Sequence, residues 1–165
     1  MRVYLPATST SLRKLLDTPS IGPAPLTAFA VTPGLREWYV DDDIEELEYA
    51  ATLEAARASL RLIDLDPDAA RRRIVIACDA ADGVVEVRDD LDRGVVRVNA
   101  AISMRDIAAI HIDDVEAEPA VGAAAAAIVA ADLGDESAQD AIDDAEGFEL
   151  SWYASQEIED LLAQL

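Results

Sequence analysis

The chain has 165 residues with 34 acidic and 13 basic side chains, a net charge of −21 at neutral pH. That balance excludes the basic footprint that nucleic acid and anionic membrane surfaces require, leaving basic proteins, cations or plain solubility as its uses. A single cysteine, Cys78, rules out an internal disulfide framework and fits a reducing, cytoplasmic compartment.

No apolar run approaches the roughly 18 residues of a membrane span. Met1 and Arg2 lead straight into strand-like residues, without the apolar core of a signal peptide. The basic residues are twelve Arg and one Lys, Lys14, beside abundant Ala and Asp, as a GC-rich actinobacterial genome would encode. Aromatic residues make up only 5% of the chain, so each is a candidate anchor.

Residues 3–5 read as a first strand, ended by Pro6. Thr8 or Ser9 caps a helix that turns Leu12, Leu15 and Leu16 inward. Residues 18–25 hold three prolines and a glycine and read as a loop. Residues 26–31 form a strand, and Pro33 opens a short helix bearing Leu35 and Trp38.

The clearest helix covers 43–63, where Asp43 and Glu46 make an acidic capping signature. Tyr49, Leu53, Ala56, Leu60 and Ile63 form one apolar stripe. Ile44, Leu47, Ala51, Ala55, Ala58 and Leu62 form another on the far side. A helix with two apolar faces should be sandwiched, inside the domain or between subunits.

After a polar connection at 64–73, residues 74–78 form a continuous apolar strand. Residues 79–94 are acidic and irregular, with a weak strand at 84–87. Strands follow at 95–98 and 107–112, separated by a helical turn that Ser103 caps. Helices are expected at 119–131, 136–145 and, from the spacing of Leu150, Ile158, Leu161 and Leu165, across 148–165.

The two ends of the chain echo each other. "RVYLPATSTSLRKLL" from Arg2 parallels "RVNAAISMRDIAAI" from Arg97, and "EELEYAATLEAA" from Glu45 parallels "GFELSWYASQEI" from Gly147. The echo raises the expectation of a duplicated strand-helix-strand-helix unit over 1–63 and 95–165 within one domain.

"RVYLPAT", "GPAPLTAFAVTPGLREWY", "EELEYAATLEAARASLRL", "IHIDD" and "ELSWYASQEIEDLL" resemble an actinobacterial family of small acidic proteins classed as a domain of unknown function. The resemblance spans nearly the whole chain. It implies a single domain of actinobacterial origin and carries no activity, cofactor or site residue with it.

His111, the only histidine, stands in "AIHIDD" with Asp113 and Asp114. On a strand His111 and Asp113 share a face, so a divalent metal or a carboxylate-oriented base is one reading. The plainer one is a strand histidine followed by an acidic turn. A zinc site wants more His or Cys than this chain has.

The acidic runs 41–43 and 89–90 lack the D-x-D-x-D-G spacing of a calcium loop, and the first is better explained as a helix start. Cys78 has no basic neighbour to stabilise a thiolate, so it reads as inert core. No nucleophile elbow, dinucleotide glycine fingerprint or phosphate loop occurs, and no cofactor is expected. Arg71, Arg72 and Arg73 read as a solvated loop before a strand.

Two aromatic pairs remain as partner- or ligand-binding candidates, Trp38 with Tyr39 and Trp152 with Tyr153. The expectation is an α/β or α+β domain, with a mixed sheet of about five strands covered by helices. Its function reads as a non-catalytic, cytoplasmic interaction or regulatory protein that forms a homodimer or binds a basic protein. The alternative is an enzyme dependent on a small molecule or divalent metal, with carboxylates near His111.

Overall fold

The computed structural model describes residues 1–40 and 42–165; Asp41, the first acid of the 41–43 run, lies outside the described residues. The elements are β1 (Arg2–Ala7), α1 (Ser9–Asp17), β2 (Ser20–Ile21), β3 (Leu26–Phe29), α2 (Pro33–Trp38) and α3 (Ile44–Leu65). There follow β4 (Ile74–Asp79), β5 (Val85–Val87), β6 (Val95–Val98), β7 (Ile102–Ser103) and β8 (Ile107–Ile112). The chain ends with α4 (Glu118–Asp132), α5 (Glu136–Glu146), β9 (Ser151–Tyr153) and α6 (Ile158–Ala163).

Seven strands form one sheet in the order β5-β6-β3-β1-β4-β8-β9, and β2 pairs with β7 apart from it. The class is α+β. Every pairing is antiparallel, where a mixed sheet of about five strands was expected. The alternation of strands and helices suggested parallel neighbours. Instead β1 lies between β3 and β4, so the helical crossover through α3 joins two parallel strands that do not touch.

Period-two alternation sorts the sheet residues between two cores. Val3, Leu5, Ile74, Ile76, Ile110 and Ile112 face α1 and α6. Tyr4, Phe29, Val75, Ala77 and Ala109 face Ala50, Ala51, Ala55 and Ala56 of α3. Small residues on both sides let α3 lie close to the sheet. Ser59 fixes it there, its hydroxyl donating to the Ala7 carbonyl at 2.7 Å and accepting from the Ile74 amide at 3.1 Å.

The outer side of α3 is covered near its C-terminus, where Leu60 and Ile63 pack with Val121, Ile128 and Ile142 of α4 and α5. The two-faced helix is therefore sandwiched inside the domain. Its N-terminal half is not covered, and Ile44 and Tyr49 remain exposed.

Several local expectations are corrected. Pro6 does not end β1. It stays within the strand, opposite Val75 of β4. Thr8 caps α1 with a Thr8–Ser11 capping box, and Leu16 points to solvent. Ser103 belongs to β7, and its side chain caps nothing in the following 3₁₀ turn.

The span 148–165 is not one helix but β9, a turn and α6. Accordingly, the echoed stretches from Glu45 and Gly147 fold differently, the first within α3 and the second through β9. Among the described residues no helix is long and apolar enough to cross a membrane.

Candidate functional site

The uncovered half of α3 overhangs the β8–β9 end of the sheet and leaves a cleft of about 470 Å³ between them. Its floor is Ala109 and His111 of β8, low because residue 109 is an alanine. Trp152 of β9 lies directly across the strand pair from His111, with Val75 of β4 on the other side. Tyr4 and Arg2 enter from β1, Tyr49 from α3, and Phe148 from the segment before β9. A smaller cavity of about 190 Å³ shares Arg2, Tyr4 and Glu48 with it, and extends the opening toward Ile44 and Arg36.

Arg73 closes one end of the cleft. Its side chain is 1% exposed and that of Asp113 is 0%. Arg73 Nε and Nη2 donate to the two Asp113 oxygens at 2.8 and 2.7 Å, and the Arg73 amide donates to Asp113 at 2.8 Å. Nη2 also donates to the Phe148 carbonyl at 2.9 Å, which holds the Phe148 backbone beside the cleft. Arg2 pairs through Nε with Asp79 at 2.7 Å.

Glu45, Glu48 and Glu149 complete the lining. Burial, then the Arg2 charge, lower the His111 pKa below its ordinary 6.5, so the imidazole is neutral at pH 7. Burial, then nearby Glu48, push the Tyr4 phenol up to about 12, so it stays protonated.

The metal or base alternative at His111, Asp113 and Asp114 is not brought together. Asp113 is committed to Arg73, and Asp114 accepts from Ser151 Oγ at 2.9 Å. Among the described residues no group of three or more His, Cys, Asp or Glu is placed to hold a metal. Asp89 accepts from the Thr32 hydroxyl at 2.5 Å, the Gly34 amide at 2.9 Å and the Gly94 amide at 3.1 Å, so it pins α2 to the β5–β6 turn. Cys78 is fully buried, and burial followed by the Asp79 charge pushes its thiol up to about 12.

The aromatic pairs separate. Trp152, 61% exposed, faces the cleft, whereas Tyr153 turns to the opposite core, as neighbours on a strand must. Trp38 and Tyr39 do not line the cleft, and the Arg93 guanidinium stacks 3.5 Å from the Trp38 ring centre. The arginine run is not a solvated loop: Arg71 donates to the Ile63 carbonyl, Arg72 pairs with Glu118, and Arg73 is buried.

Sequence reasoning missed Tyr4, Tyr49, Phe148 and Arg73 as cleft residues. Tyr49 carried the one signal that could have found it, an aromatic ring on an apolar stripe of α3.

A family model matches residues 1–162, and the chain belongs to that family, a family of unknown function (DUF6912). No curated protein and no solved structure matches the chain.

Proposed function

We propose that this member of the family is a non-catalytic, cytoplasmic binding protein whose cleft beneath α3 receives a side chain or small group of its partner. The observation that carries this reading is the make-up of the cleft. Four aromatic residues, Tyr4, Tyr49, Phe148 and Trp152, surround a preformed cavity within the size range of ligand sites. Its most buried polar groups are already engaged with each other. Asp113, the carboxylate two residues on from His111 that could have oriented it as a general base, is held by Arg73. The arginine-rich, lysine-poor composition supports an actinobacterial source.

The test is a fragment screen by amide chemical-shift mapping on the whole chain. Hits that perturb His111 and Ala109, vanish in Tyr49→Ala and Trp152→Ala, and persist in Trp38→Phe support the cleft. Hits indifferent to Tyr49→Ala and Trp152→Ala would sink it.

A second reading, self-association, rests on β9. It ends the sheet with three residues and no outer neighbour among the described strands, beside an exposed Trp152. A two-fold related copy could pair edge to edge there. Light scattering that gives a monomer mass at about 100 μM would remove this reading and leave the first untouched.

A further inference from the structure

We infer that the group this cleft selects is an organic cation, a guanidinium or alkylammonium head carried on an apolar stem. The inference rests on the binding-protein reading above and specifies its ligand. It starts from the balance of charges around the cavity.

Two arginines line the cleft, and both are paired within the chain. Arg2 donates to both Asp79 oxygens, at 2.7 and 3.3 Å, and Arg73 is locked in its two-pronged contact with Asp113. The three lining carboxylates, Glu45, Glu48 and Glu149, enter no ion pair among the described residues. His111 adds no positive charge at pH 7. The cleft therefore sets three carboxylates outside any ion pair against aromatic rings, with the paired Arg2 still close enough to act on Glu48 and His111.

That combination is what a cation recognises. Aromatic faces attract it through their quadrupole, and carboxylates at the rim supply charge and hydrogen-bond acceptors. An anion finds the opposite. The positive end of α3 is already answered by the Asp43 cap and by Glu45 and Glu46 in the first turn, and neither arginine is free. A neutral apolar ligand would cover carboxylates without replacing the water it removes from them. The net charge of −21 adds long-range attraction for basic partners and raises their encounter rate at low salt.

The same head group occurs on the arginine or lysine side chain of a basic protein and on a free amine. The experiment separates these sources. Trp38→Phe leaves Trp152 as the sole indole of the whole chain, a reporter on the cleft wall. Its emission is followed while N-acetyl-arginine methylamide, the uncharged N-acetyl-citrulline methylamide, the anionic N-acetyl-glutamate methylamide and agmatine are added in turn.

The expected result is saturable binding of the arginine compound, about tenfold tighter than citrulline and weakened by salt. Glu48→Gln should erase most of that preference while leaving citrulline binding unchanged. A tighter response to the arginine compound than to agmatine assigns the site to a protein side chain, and the reverse order assigns it to a free amine. Citrulline or glutamate binding as tightly as arginine overturns the cation inference and leaves the binding cleft standing. Silence from every probe, together with a fragment screen that leaves Ala109 and His111 unmoved, overturns both.

Discussion

Removing the Asp113 carboxylate should be among the most damaging single changes in this protein. Asp113 and Arg73 are 0% and 1% exposed at their side chains, and the carboxylate accepts three hydrogen bonds from Arg73 alone. In Asp113→Ala the guanidinium keeps the Phe148 carbonyl but loses its counter-charge where water cannot replace it. Breaking a buried pair from one side costs about 3–5 kcal/mol. Set against a domain stability of about 5–15 kcal/mol, that is a large share. Replacing both partners with apolar groups, Arg73→Met with Asp113→Leu, also removes the cost of keeping two charges dry. The double variant should therefore be more stable than Asp113→Ala. Urea unfolding followed by circular dichroism measures both. A loss below about 1 kcal/mol for Asp113→Ala, the scale of a solvent-exposed pair, would refute the reasoning.

Two further outcomes are expected. His111 has its folded pKa lowered, so the unfolded chain takes up the proton first, and stability falls as pH drops from about 6.5 toward the folded value. The urea midpoint of His111→Gln should drop less than that of the parent between pH 7.5 and 5.5, and an imidazole NMR titration midpoint at or above 6.5 in the folded chain would contradict this. Gly34→Ala would place a Cβ 2.6 Å from the Asp89 carboxyl carbon and cost about 1–3 kcal/mol by overpacking. The penalty should shrink when Asp89 is also replaced by Ala, which thermal unfolding of the single and double variants checks.

Much of the fold was legible because apolar residues repeat with a clear period. The runs at 74–78, 95–98 and 107–112 became β4, β6 and β8, and 43–63 became a helix with two buried faces. The stripes themselves did not hold: Ala56 of the first packs with Ala51 and Ala55 of the second, and Ile44, Tyr49 and Leu62 are exposed. The C-terminal segment misled because Leu150, Ile158 and Leu161 satisfy helical spacing, while the strand signal is only three residues long, Ser151–Tyr153. Parallel pairing was inferred from element order, which does not reveal that β1 inserts between β3 and β4.

The site was harder to read. His111 and Trp152 were singled out separately, for different chemistries, and only strand pairing makes them neighbours. Arg73 looked solvated inside a run of three arginines because its partner lies 40 residues away. No local pattern announces such a pair.

The buried pair and the cleft also depend on each other. Arg73 stands just before β4, Asp113 just after β8, and the Phe148 carbonyl bonded to Arg73 opens the approach to β9. One guanidinium thus joins three segments, and it sets the backbone that carries a wall residue of the cleft. It also hides the Asp113 charge. Negative charge in the cleft is confined to Glu45, Glu48 and Glu149, on α3 and beside Phe148, where an incoming head group can reach it without entering the core. A variant that removes the Arg73 guanidinium would weaken binding by freeing the Phe148 carbonyl it holds, whereas Asp113, which does not line the cleft, acts only through Arg73. Residues that act on the ligand directly are those whose change leaves the urea midpoint in place, which singles out exposed Tyr49, Trp152 and Glu149.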